Sequence, residues 1–163
     1  MTTVITAKRS QIKSFLNTGT PAAPVYSIIG DGITTATINY NPKTLQQIFI
    51  TEDTGHTEIE SYMPNLPLEG VVKFGDAAFD FVDNLRKNRA VLTDAHTDIV
   101  NVWMYETAVA GAYPAEQQPV SIQIDDYGGD GGTVAKIKYT INYLGPAVQG
   151  TFNPTTLTFT ANP

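Results

Sequence analysis

Strict alternation of apolar and polar side chains is the feature that most constrains the fold of this chain. Val120, Ile122 and Ile124 alternate with polar residues, and after a Gly-rich turn at 126–132 the alternation resumes from 135 to 143. A period of two places the two sets of side chains on opposite faces of a strand. These segments therefore predict a long antiparallel hairpin with one apolar and one polar face.

The residue types favour the same fold class. The 163 residues include 22 Thr, 14 Ile and 12 Val, against 8 Leu and 5 Ser. Branching at Cβ restricts χ1 and suits the pleated surface of a sheet better than a helix. The length is that of one domain. We therefore expect a single, mainly β domain spanning 1–163, with much polar sheet surface.

One segment predicts a helix, at 76–89. Asp76 is a good N-cap, since its carboxylate can accept hydrogen bonds from the first-turn amides. Ala78, Phe81, Val82 and Leu85 follow with the spacing of one apolar helical stripe. The predicted fold is a β-sandwich or open barrel flanked by this one α-helix.

Two segments differ from the rest. Residues 1–23 read as a poorly folded arm with one short helical turn, ending in turn and linker residues. Residues 52–66 carry four acidic residues and no basic one. A long loop within a compact domain is usually functional or disordered until bound, so we interpret 52–66 as a long inter-strand loop. The alternative is a solvent-exposed loop with no binding function. Strands are expected at 25–29, 45–51, 68–74, 98–106 and 155–160.

Composition excludes several function classes. The chain has no Cys, so disulfides, thiolate metal sites and cysteine nucleophiles are excluded. Its net charge of −6 argues against an electrostatic grip on nucleic acid, which needs clustered Lys and Arg. Neither a secretion signal nor an apolar run long enough to cross a membrane is expected.

A search for chemistry finds little. Asp94, His96 and Asp98 stand at alternate positions, which a strand would point to one side, but no second ligand cluster accompanies them. A polar turn leading into the strand at 98–106 is the preferred interpretation. The Gly-rich turn lacks the spacing and the final Glu of an EF-hand, and is better interpreted as a hairpin turn. No nucleophile elbow is present. We therefore expect no cofactor, no metal and no enzymatic activity.

The order of features, together with several short stretches, resembles a known family. The stretches lie at 41–43, 47–52, 62–64, 94–95 and 98–102, and the longest is Val-Val-Lys-Phe-Gly-Asp-Ala-Ala-Phe-Asp-Phe-Val-Asp at 71–83. The pattern, over about residues 25–145, is similar to the tail tube (major tail) proteins of long, non-contractile-tailed bacteriophages.

That resemblance implies a structural function in the virion tail. Six copies would form a ring in which sheets join across subunits, and rings assembled in the host cytoplasm would stack into a tube that conducts the genome. The implied partners are other copies of the chain, the tape measure protein, the tail terminator and the distal tail protein. DNA would pass without specific binding, and no membrane anchor is implied.

Under this hypothesis the polar strand faces line the channel. By alternation the lumen-facing candidates are Glu69, Lys73, Ser121, Gln123, Asp125, Lys136, Lys138, Thr140 and Asn142. An ordinary outer surface is the alternative for each. A channel that releases DNA should be neutral to negative, so the three lysines require neutralisation by Glu69 and Asp125 on neighbouring strands.

The arm and the acidic loop are the candidates for contacts between subunits and rings. Their residues are Ile12, Phe15, Glu52, Asp53, Glu58, Ile59, Glu60, Tyr62, Met63 and Leu66. Three alternatives to a tube subunit remain: a tail terminator or neck-joining ring protein, a monomeric β-sandwich binding module, and an enzyme.

Overall fold

The computed structural model describes residues 3–163, which contain eleven strands and one α-helix. The helix, α1, is Ala77–Asn88. The strands are β1 (Ile12–Asn17), β2 (Tyr26–Ile29), β3 (Ile33–Ala36), β4 (Pro42–Gln47), β5 (His56–Tyr62), β6 (Asn65–Val71), β7 (His96–Trp103), β8 (Tyr113–Gly128), β9 (Lys136–Tyr143), β10 (Val148–Asn153) and β11 (Thr158–Ala161).

Nine strands form one antiparallel sheet, in the order β2-β1-β7-β8-β9-β6-β3, with β10 and β11 branching from β8. The long strand β8 joins two halves of this sheet. Its first part pairs with β7 and β10, and its second part pairs with β9. The end strands β2 and β3 are not paired with each other, so the sheet is an open barrel. The predicted mainly β fold class is confirmed.

Two apolar cores lie on opposite faces of β1 and β7. The larger contains Leu66 of β6, Ile99 of β7 and Ile141 of β9, together with Phe79 and Val82 of α1. The smaller lies under the β10–β11 hairpin, where the ring of Phe152 packs at 4.5 Å from that of Phe15 and edge-on to that of Tyr26. Strands buried on both faces read as continuous apolar runs, as β7 does.

The helix begins and ends as its sequence predicts. Asp76 accepts a hydrogen bond from the Phe79 amide at 2.9 Å, and Arg89 ends the helix in a left-handed conformation. The buried carboxylate of Asp83 is bonded by Arg86 at 2.7 Å and by Lys87 at 2.9 Å. Burial alone raises the pKa of Asp83, but these bonds from Lys87 and Arg86 hold that pKa below its ordinary value.

The prediction of a poorly folded arm over 1–23 is wrong for residues 9–17, whereas 18–23 form turns as expected. Residues 1–2 lie outside the described residues. Arg9–Gln11 form a 3-10 turn, and β1 lies inside the sheet between β2 and β7. The residues of β1 do not alternate in polarity because both faces are covered: Phe15 enters the smaller core and Leu16 the larger.

The prediction of a loop over 52–66 is also wrong. β5 (His56–Tyr62) lies in the middle of that segment and pairs with β4 as a separate two-stranded sheet, and β6 begins at Asn65. The turn joining the two strands is instead 48–55, part of which was predicted to be strand. At the C-terminal end, the strand expected at 155–160 is β11, three residues later, and β10 was missed.

None of the helices in residues 3–163 has the length and apolar character needed to cross a membrane.

Candidate assembly surfaces

The predicted polar strand faces form one continuous surface. The register across β8, β9 and β6 aligns Ser121 with Asn142 and Asn65, and Gln123 with Thr140 and Pro67. The alternating neighbours, such as Ile122 and Ile141, point into the larger core. We call this surface the polar face; it consists of Glu69, Ser121, Gln123, Asp125, Lys136, Lys138, Thr140 and Asn142. It lies on the opposite side of these strands from the core to which α1 contributes.

Side-chain hydrogen bonds connect neighbouring strands across the polar face. The carboxylate of Asp125 accepts from Thr140 Oγ1 at 2.7 Å and from Gln123 Nε2 at 2.6 Å. Asn142 Nδ2 donates to Gln123 Oε1 at 3.3 Å. These hydrogen bonds join side chains within the face, so several of its polar groups are already hydrogen-bonded to one another in the monomer.

The charges of the polar face are partly neutralised, as the sequence required. Lys138 lies opposite Glu69, with Nζ 3.6 Å from Oε2. Lys73 lies beyond the end of β6 and pairs with Asp31 at 3.3 Å rather than with Glu69 or Asp125. The prediction that Glu69 or Asp125 neutralises Lys73 is therefore wrong. Exposed pairs of this kind contribute little to stability, ~0–1 kcal/mol, and their main effect here is on the local charge.

The strands that bear the polar face have two free edges. The first edge is β3, which pairs with β6 on one side only. The second edge is the end of β8. The pairing of β7 with β8 stops at Ser121, so among the described residues 122–128 has a strand partner only on the β9 side. Unpaired edges present rows of N–H and C=O groups to any other strand. A four-stranded sheet open at both ends therefore has two potential pairing sites.

At the β3 edge, the guanidinium of Arg9 covers a backbone carbonyl; we call this contact the Arg9 cap. Asn39 and Asn65 exchange both backbone hydrogen bonds, so the groups of residue 36 point away from β6. Arg9 donates to the Ala36 carbonyl oxygen from Nε at 3.2 Å and from Nη2 at 3.0 Å, and Nη1 donates to the Ile12 carbonyl at 2.6 Å. Sequence reasoning missed Arg9, because nothing in its local pattern indicates a distant backbone acceptor.

The β4–β5 hairpin is an exposed arm with an apolar tip. Ile48, Phe49 and Ile50 follow β4 and are all exposed, and Phe49 stacks at 4.9 Å on His56. The turn and β5 bear most of the predicted contact residues, all exposed: Glu52, Asp53, Glu58, Ile59, Glu60 and Tyr62, with Met63 directly after them. The apolar tip was missed as a surface because 48–50 read as buried strand.

Two predicted contact residues are corrected by their burial. Phe15 is 4% exposed in the smaller core and Leu66 is 1% exposed in the larger. Neither offers surface to another subunit in this structure. Ile12 is only half-buried and lines the opening between β1, β2 and β3, a cavity of about 430 Å³, so its role as a contact residue stays a prediction.

The candidate metal ligands face different surroundings. Asp98 accepts from Asn17 at 2.8 Å, from Tyr26 at 2.7 Å and from Gln117 at 3.0 Å. Asp94 lies in a 3-10 turn before β7, and His96 is exposed. Within residues 3–163, no group of three His, Cys, Asp or Glu side chains is arranged to hold a metal ion. Asp98 instead connects four strands.

Comparisons with known proteins include likenesses to two solved structures. A scan of protein-family models and a search of curated proteins return no match. The fold is similar to a chain in the tail of an empty GTA particle with C6 symmetry, with a TM-score of 0.65 and 15% identity over 96% of this chain and 100% of that one. It is also similar to a chain in the six-fold symmetrised baseplate of the anti-feeding prophage, with a TM-score of 0.50 and 11% identity over 94% and 98%. This chain therefore has the fold found in those tail and baseplate chains.

Proposed function

We propose that this protein is a structural subunit of a phage tail tube, in which six copies form a ring and rings stack into a conduit for the genome. The observation that carries the proposal is the four-stranded part of the sheet, which has a free edge on each side and a polar face opposite its core. The likeness to chains of C6 and six-fold symmetrised assemblies supports it.

The two free edges favour a ring over a two-fold dimer. One edge is β3 and the other is the second part of β8, so a contact between them is head-to-tail. Head-to-tail contacts generate rings when the rotation closes and filaments when it does not. Joining β3 of each copy to β8 of the next extends one sheet around the ring and pairs these two free edges.

In such a ring the polar face lines the channel. Lys73, Lys136 and Lys138 are matched in number by Asp31, Glu69 and Asp125, and the whole chain has a net charge of −6. A surface without excess positive charge does not bind phosphates electrostatically. DNA therefore passes without being held, and no catalytic group is needed for this role.

The β4–β5 hairpin is the proposed contact between stacked rings. Its tip residues Ile48, Phe49 and Ile50 have no apolar partner large enough to bury them in the monomer. Exposed apolar patches of this kind mark association sites. The proposed location is the virion tail, with the tape measure protein inside the tube and the tail terminator and distal tail protein at its ends.

Negative-stain electron microscopy of the concentrated protein tests this function. We expect six-fold rings and short tubes. Single rings that never stack would indicate a terminator or neck-joining subunit instead. A monomer at every concentration, with no rings under any ionic condition, would contradict the proposal.

A further inference from the structure

Arg9 bonds a backbone carbonyl that a strand pairing with β3 would use as a hydrogen-bond acceptor. The carbonyl of Ala36 points out of the free edge of β3, and Arg9 occupies it with two hydrogen bonds. A strand that pairs with this edge would bring its own N–H group to that carbonyl. Pairing would therefore release the guanidinium next to the incoming strand.

The register shows which part of a second copy would arrive there. Ala36 lies level with Leu68, Tyr139 and Ile124 across β6, β9 and β8. With only a small stagger between copies, which closing a ring of tilted strands requires, that copy's β8 meets β3 near the same level. The irregularity between Ile124 and Asp126 then lies beside Arg9.

The charges of the two edges are complementary. Arg9 and Lys13 line the opening next to β3, whereas Asp125, Asp126 and Asp130 lie on β8 and the turn that follows it. Both oxygens of Asp125 already accept hydrogen bonds within the polar face. Asp126 is exposed and forms no salt bridge within residues 3–163, because Lys138 opposite it pairs with Glu69.

We propose that Arg9 of one copy and Asp126 of a second copy form the ion pair that fixes the register of β3 against β8 between neighbouring subunits. This inference rests on the proposed ring. On pairing, Arg9 exchanges a neutral carbonyl for a carboxylate, which bonds a guanidinium more strongly and in a defined geometry. The same arginine thus covers the β3 edge in the free chain and recognises the correct partner strand in the ring.

A charge exchange tests the pair. Arg9→Glu and Asp126→Arg are each compared with the double variant by the critical concentration for ring formation, measured by sedimentation. Each single variant should raise it about tenfold, which corresponds to roughly 1.4 kcal/mol, and the double variant should recover most of that loss. The double variant Lys8→Glu with Asp126→Arg is the matched control, since Lys8 is an exposed cation adjacent in sequence to Arg9, whereas the Ala36 carbonyl is bonded by Arg9, and it should recover much less.

The outcomes separate this inference from the proposed function. If the wild type forms rings but the charge exchange gives no recovery, or Lys8→Glu gives equal recovery, the ion pair is overturned and the tube function is left standing. A wild-type chain that forms no rings would contradict both. Should Arg9→Glu unfold the chain, the neutral variants Arg9→Gln and Asp126→Asn replace it. If the two residues form an ion pair, the double neutral variant should raise the critical concentration for ring formation no more than either single variant does. Fully additive increases would contradict the pair.

Discussion

The phenol of Tyr26 donates to Oδ2 of Asp98 at 2.7 Å, and this hydrogen bond connects β2 to β7 across the intervening strand β1. Gln117 Nε2 reaches both partners, at 2.6 Å from the Tyr26 oxygen and 3.0 Å from Asp98. Burial, together with the bond to Asp98, raises the pKa of Tyr26 above its ordinary value. Asp98 is half-buried, so losing one of its donors leaves a partly desolvated carboxylate less well satisfied, which costs stability.

Replacing Tyr26 with Phe should therefore destabilise the fold. The ring and its edge-on contact with Phe152 are retained, so the loss isolates the hydrogen bond to a charged group, about 1.5–3 kcal/mol. Urea unfolding of the monomer measures it. Tyr105→Phe removes an exposed phenol and should change the free energy of unfolding by less than about 0.5 kcal/mol. Equal effects of the two variants would mean that the Asp98 network is not stabilising.

Leu66 and Met63 should respond in opposite ways to truncation. Leu66 is 1% exposed and Met63 is 71% exposed, although they are three residues apart. Leu66→Ala leaves a cavity in the larger core and should cost about 2–5 kcal/mol. Met63→Ala should leave the free energy of unfolding nearly unchanged while weakening assembly. An unchanged free energy of unfolding in Leu66→Ala would contradict a stabilising role of Leu66 in the larger core.

Alkaline pH should destabilise the chain through Tyr143. Burial is the main cause that raises its pKa to about 12, with the Asn101 hydrogen bond acting in the opposite direction and Glu116 and Tyr40 adding to the rise. Because the pKa is higher in the folded state, the contribution is fully present below the unfolded pKa of roughly 10 and is lost as pH rises towards 12. Unfolding free energies of wild type and Tyr143→Phe between pH 9 and 12 measure this, and the variant should show the shallower decline. An identical decline would exclude Tyr143 as a cause, with Tyr105→Phe as the control.

The hairpin tip should matter for assembly and not for folding. Ile50→Asp places a charge on a fully exposed apolar side chain, so thermal unfolding of the monomer should not change. Stacking of rings should be lost, because the tip would have to bury the new carboxylate. Thr51→Asp, on the neighbouring exposed residue, is the matched control for added charge. Tubes of normal length with Ile50→Asp would exclude the tip from the contact between rings.

The sequence predicted best those strands whose two faces meet different surroundings. Ser121, Gln123, Thr140 and Asn142 alternate with core residues because one face of β8 and β9 is wet and the other is packed, so their shared surface followed from a period of two. The helix was equally clear, since Asp76 supplies its N-cap hydrogen bond.

The segments that were misread lack that asymmetry. β1 is covered on both sides, so Phe15 and Leu16 are adjacent apolar residues that resemble a helical turn. The hairpin strand β5 is exposed on both faces, and its Glu and Thr side chains resemble a loop. In β10, Gly150 lies in close contact with the backbone of Thr160 and the ring of Phe159, and a short segment with an interior glycine carries little strand signal. The cap on the β3 edge depends on a contact over 27 residues, which no local pattern contains.

The central claim is that six copies close a ring with the polar face towards the channel. Cryo-electron microscopy of assembled tubes at side-chain resolution tests it most directly. The account predicts six-fold rings in which β3 of each copy pairs with β8 of the next, with Gln123, Lys138 and Thr140 lining the lumen. A ring in which these side chains lie on the outer wall, or an assembly without pairing between β3 and β8, would contradict it.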